Sequence, residues 1–106
     1  MSQTVSSLVE KKRDLKRLIQ SIFEIPDQDS INNIKVLIQH LNHLLRVKSL
    51  TPPLTEIMIL LKEQKPFLYH ATRLAISKNS HLTLLFEIKG DPKLAAQRLE
   101  EYLNKL

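Results

Sequence analysis

The sequence contains no cysteine, no tryptophan and one glycine, Gly90, in 106 residues. Without thiols there is no disulfide staple, no thiolate nucleophile and no cysteine-ligated metal. Strand-rich folds use glycine freely at turns and bulges, so its scarcity argues for helix packed on helix. Aromatic residues are only 5% of the chain, so the core must be built mainly from Leu and Ile. No apolar run approaches the ~18 residues of a membrane-spanning helix, and the stretch from Met1 to Leu18 lacks the continuous apolar segment of a secretory signal. These absences predict a soluble, intracellular protein (cytoplasmic, or nuclear in a eukaryote) with no membrane partner.

What is present sets the class. A hydrophobic content of 42% argues against disorder. The length suffices for one core, so residues 1–106 read as a single helical domain. The net charge of +5 suggests an acidic partner. The positive charges concentrate in one place: Lys11, Lys12, Arg13, Lys16 and Arg17, offset only by Glu10 and Asp14.

Helical spacing recurs along the chain. From about Val5 to Glu24, Leu8, Leu15, Ile19 and Ile22 fall on one line. Lys11 and Lys12 intrude into the same apolar arc. Either their stems lie over the edge of the core or the first turns project beyond it. Pro26 stops this helix, and Ser30 is a suitable N-cap for the next. There Ile31, Ile34, Leu37, Ile38, Leu41, Leu44 and Leu45 make the cleanest stripe. A second, thinner stripe of Val36, His40, His43 and Val47 lies on the other side. Between the two run Asn32, Lys35, Gln39, Asn42 and Arg46, a hydrogen-bonding face without acids.

Ser49 to Pro53 is the clearest break, with Pro53 in the first turn of a third helix. The run Ile57 to Leu61 is apolar on every side and predicts a central, buried segment. Pro66 restarts the chain, and Phe67, Leu68, Ala71, Leu74 and Ala75 predict the inner face of a fourth helix that frays near Ser77 to Asn79. Ser80 caps a fifth element over His81 to Lys89, where residues 82–88 read as helix or strand. Gly90 serves as C′, Asp91 as N-cap and Pro92 as first residue of the last helix. That helix packs through Ala95, Leu99, Tyr102, Leu103 and Leu106.

Residues that carry chemistry form no recognisable site. His40 and His43 are close enough to chelate, but zinc needs two further ligands and none stands at a matching spacing. The carboxylates Asp27/Asp29 and Glu100/Glu101 occupy a turn and a helix surface. No glycine-rich phosphate loop or nucleophile motif occurs. The chain therefore reads as non-catalytic, with no cofactor or metal.

Lys16-Arg-Leu-Ile-Gln-Ser-Ile-Phe-Glu-Ile-Pro-Asp27 resembles the first helix and following loop of KIX domains. That resemblance implies a helical module that binds transactivation peptides, although the family's later aromatic, tyrosine-rich helices are not matched. A helix, a polar turn and a leucine-rich helix are also similar to the small helical domains of transcription elongation factors. Their basic motif is absent here.

The expected fold is all-α: a compact single-domain bundle of five to six helices, non-parallel in packing, with the second and third helices central. The expected function is a helical protein-interaction module, an adaptor or regulatory subunit that binds an acidic or amphipathic segment. Its predicted partner-binding residues are Lys12, Arg13, Lys16, Arg17, Val36, His40, His43 and Val47. A small basic DNA- or RNA-binding protein is the alternative. Self-association through the histidine stripe is a further candidate.

Overall fold

In the computed structural model of the chain, residues 2–47 and 50–106 are described, with side chains of the first helix from residue 9 onward. Leu8, expected on the core face, and Ser49, at the expected break, lie outside that description. The order of elements is α1 (Ser2–Glu24), α2 (Ile31–Arg46), α3 (Leu54–Gln64), α4 (Pro66–Ala75), a 3-10 helix (His81–Glu87) and α5 (Pro92–Lys105). Among the described residues there is no strand. The molecule is an all-α compact bundle.

Local chemistry sets most boundaries. The Ser30 hydroxyl accepts from the Asn33 N–H at 3.1 Å and starts α2. The Asp91 carboxylate accepts from the Lys93 N–H at 3.1 Å, with Pro92 as first helical residue of α5. The Ser80 hydroxyl accepts from the Leu82 N–H at 3.2 Å. Residues 82–88, open to two readings in the sequence, wind as a 3-10 helix through Glu87. Between α3 and α4 stands one residue, Lys65, because Pro66 lacks the N–H that would continue α3.

All five residues from Ile57 to Leu61 are buried, as the sequence predicts. At ~1.5–3 kcal/mol for each large side chain removed from water, this run is a principal source of core stability. α3 packs against α4, α5 and the 3-10 helix, while α2 packs against α1 and α4. α3 is interior, whereas α2 buries one side only, through Leu37, Leu41 and Leu44, and α4 is the element packed against both. Leu15, Ile19 and Ile22 of α1 and Leu37, Leu41 and Leu44 of α2 complete one side of the core. None of residues 9–14 is buried, and Val9 is 48% exposed. Of the two readings for Lys11 and Lys12, the leading part of α1 therefore runs past the core.

Several expected core positions face outward. Ile31 is 74% exposed because it opens α2 beyond the packed part of the stripe. Leu45 is 37% exposed. The expected inner face of α4 is only partly inside: Leu68 is buried and Ala71 half-buried, but Phe67 is 70% and Leu74 87% exposed, and Ala75 is exposed as well. Beside Leu68 the helix buries Tyr69 and Thr72, which the pattern did not place inside. Tyr69 fixes this orientation, since its hydroxyl donates to the Phe86 carbonyl at 2.8 Å in the interior. Its ring lies 4.9 Å from that of Phe86.

Gly90 departs from its expected role. No glycine has a positive φ, so Gly90 is not a left-handed helix cap. A Cβ at this position would collide with the Ile59 side chain, meeting Cδ1 first and Cγ1 at 3.3 Å. The absence of a side chain, rather than conformational freedom, lets the chain pass over α3.

Candidate functional site

Between α1 and the end of α2, at the edge of the core, lies a groove of about 380 Å³. α1 contributes Lys11, Asp14, Leu15 and Leu18. The last turn of α2 contributes His43 and Arg46, and its C-cap residue, Val47, joins them. The floor is apolar through Leu15, Leu18 and Val47, and the rim is cationic through Lys11 and Arg46, with Asp14 its one carboxylate among the described residues. Helical spacing explains the α1 side: residues 11, 14, 15 and 18 share one flank of a helix with 3.6 residues per turn.

The structure brings only part of the predicted set to this groove. His43 and Val47 line it, and Lys11 joins from the basic cluster. Lys12, Arg13, Lys16 and Arg17 are not among its lining residues. Successive helical residues turn by about 100°, which puts Lys12 and Lys16 on the opposite flank of α1 and Arg13 and Arg17 on its outer side. Arg13 and Arg17 are exposed, and Lys12 and Lys16 half-buried.

The second stripe of α2 also divides. Val36 and Val47 pack against the core cluster, and His40 is half-buried, whereas His43 is exposed. The stripe is thus a flank of the main apolar face rather than a free side. Burial holds the His40 pKa below the usual 6.5, and the neighbouring His43 adds to the shift. His43, Arg46 and Val47 also border a second depression of about 420 Å³, completed by Gln39 and Asn42. Among the described residues, no three His, Asp or Glu side chains gather as metal ligands would.

A further surface escaped the sequence pattern. Residues of α4 and the 3-10 helix enclose a groove of about 430 Å³. Leu74, Ile76 and Phe86 supply apolar wall, and His70, Arg73 and Lys78 supply polar edge, with Thr83 between. Periodicity favoured Phe67 and Leu74 for the interior because Tyr69 and Thr72 count as less apolar. The available signal was Tyr69 and Thr72 on the same face as Leu68, which the pattern already placed inside.

No protein-family model, curated protein or solved structure matches this chain. The likeness of residues 16–27 to KIX domains therefore rests on that segment alone. No described helix is long and apolar enough to cross a membrane.

Proposed function

We propose that this protein is a non-catalytic helical interaction module, an adaptor or regulatory subunit that binds an acidic or amphipathic segment of another protein. The observation that carries this reading is the α1–α2 groove, whose apolar floor of Leu15, Leu18 and Val47 lies between Lys11 and Arg46. An amphipathic helix can set its apolar face into such a groove while its carboxylates meet the cationic rim. Lys12, Arg13, Lys16 and Arg17 lie outside the groove and add a positive field that speeds the approach of an acidic partner.

A small basic nucleic-acid-binding protein is the second reading. It is supported by the depression bordered by Gln39, Asn42, His43 and Arg46, donors of the kind that meet phosphates and base edges.

Affinity capture from lysate with and without nuclease, at two salt concentrations, separates the readings. A protein partner should survive nuclease and be lost in a Lys11→Glu/His43→Asp variant, both positions being exposed. Reversal of Lys12, Arg13 and Lys16 to Glu should slow its association and flatten the salt dependence. Binding abolished by nuclease assigns the surface to nucleic acid. A partner retained equally by both variants removes the groove from the interface.

A further inference from the structure

On α4, Phe67, His70, Ala71 and Leu74 recur at i, i+3, i+4 and i+7 and so form one stripe along the helix. This stripe faces solvent: Phe67 is 70% and Leu74 87% exposed. Leu74 also lines the groove with Ile76 and Phe86, so the exposed stripe reaches the edge of the cleft at this residue. No carboxylate stands among the described residues lining that groove, while Arg73 and Lys78 are cations.

Two hydrogen bonds between distant residues anchor the helix beneath this surface. The backbone N–H of Leu68, in the first turn of α4, is held by Asp27 at 2.8 Å. The Tyr69 hydroxyl ties α4 to the Phe86 carbonyl at 2.8 Å, beneath the groove wall that Phe86 forms. A site fixed in this way loses little ordering entropy when occupied.

We infer that the outer face of α4 and its groove with the 3-10 helix form a docking site for an acidic amphipathic helix of another protein. From Phe67 to Leu74 the stripe is about 10 Å long at 1.5 Å per residue, the span of two or three anchors on a partner helix. Charge selects the occupant: acidic residues flanking those anchors meet Arg73 and Lys78. A second copy of this chain brings the same cations and its own +5 to the same face. The site shares no lining residue with the α1–α2 groove and does not depend on it.

The test uses a fluorescein-labelled synthetic helical peptide with Leu at i, i+3 and i+7 and Glu at the remaining exposed positions. A second peptide has every Glu replaced by Lys. The acidic peptide should bind the full chain, and the Lys peptide should bind at least about tenfold more weakly. Leu74→Glu and Arg73→Glu/Lys78→Glu alter exposed side chains, so circular dichroism should be unchanged while peptide affinity falls at least about tenfold. Amide resonances of Phe67, Leu74 and Ile76 should shift on titration, and Lys11→Glu/His43→Asp should leave the affinity unchanged. Loss of binding in that last variant places the peptide in the α1–α2 groove and overturns this inference while sparing the other reading. Equal binding by both peptides, unaltered affinity in the α4 variants, or no binding up to about 1 mM overturns it as well. So does sedimentation showing a dimer that Leu74→Glu dissolves, which makes a second copy the occupant. Shifts produced only by phosphatidylserine vesicles assign the face to lipid.

Discussion

The Asp27 carboxylate accepts a hydrogen bond from the backbone N–H of Leu68 at 2.8 Å, across 41 positions of sequence. α4 begins after Lys65, which makes no side-chain cap of its own. The acid in the turn between α1 and α2 therefore satisfies one of α4's free N–H groups and lies favourably at the positive end of its dipole. An exposed turn acid in the sequence reading, Asp27 is instead half-buried and structural.

Asp27→Ala should accordingly lower stability by ~0.5–2 kcal/mol, the usual value of a helix N-cap. Asp27→Asn should retain most of it, because the amide oxygen can still accept. Urea unfolding of both variants decides the matter, and an unchanged midpoint for the alanine variant removes the cap.

Gly90→Ala places a methyl group against the Ile59 Cδ1 and should destabilise by ~1–3 kcal/mol through overpacking. Ile59→Val removes that terminal carbon. In its background the same Gly90→Ala change should be neutral or stabilising by up to ~1 kcal/mol, since Gly90 has no positive φ and alanine restricts the unfolded chain. Equal effects in the two backgrounds contradict the steric account.

Thr72 is fully buried and its hydroxyl has no hydrogen-bond partner among the described residues. A buried hydroxyl left in this way costs about 1–3 kcal/mol. Thr72→Val keeps the shape and discards the oxygen, so it should raise the thermal midpoint. A fall in midpoint means that the hydroxyl has a partner.

Burial raises the Tyr69 pKa above its usual 10.0, opposed by the nearby Arg73. Tyr102 is raised by burial too. The unfolded chain then releases these protons at lower pH than the folded one, so stability is full below about 10 and falls as pH rises beyond it. Tyr69→Phe leaves the Phe86 carbonyl without its donor and should cost ~1–3 kcal/mol at neutral pH. It should also lessen the alkaline decline, measured as thermal midpoint against pH. An identical alkaline profile means that Tyr69 does not contribute to it.

The opposite pH limb belongs to His40. Its lowered pKa means that the unfolded ring takes up a proton near 6.5 before the folded one does. The associated stability is present above 6.5 and lost as pH falls through the folded value. In a proton-resolved NMR titration His40 should have a midpoint below 6.5, and His40→Gln should flatten the acid side of the stability profile. A midpoint at or above 6.5 excludes the burial effect.

The sequence by itself determined the helical class and most element ends. Ser30, Ser80 and Asp91 reach an N–H only two or three residues away, and proline acts on its immediate neighbours, so these signals need no distant partner. The run Ile57 to Leu61 was equally legible, because no orientation of an all-apolar segment avoids burial. Tertiary structure alone decided which face of α4 turns inward. Phe67/Leu74 and Leu68/Tyr69/Thr72 differ little in local preference, and the Asp27 cap together with the Tyr69–Phe86 bond selects the second. It also decided that Gly90 is required by Ile59 rather than by its own φ, and that Lys11, not Lys12 or Lys16, meets His43 across the α1–α2 groove. These are relations between residues tens of positions apart, and hydrophobic periodicity carries no information about which surface will stand opposite.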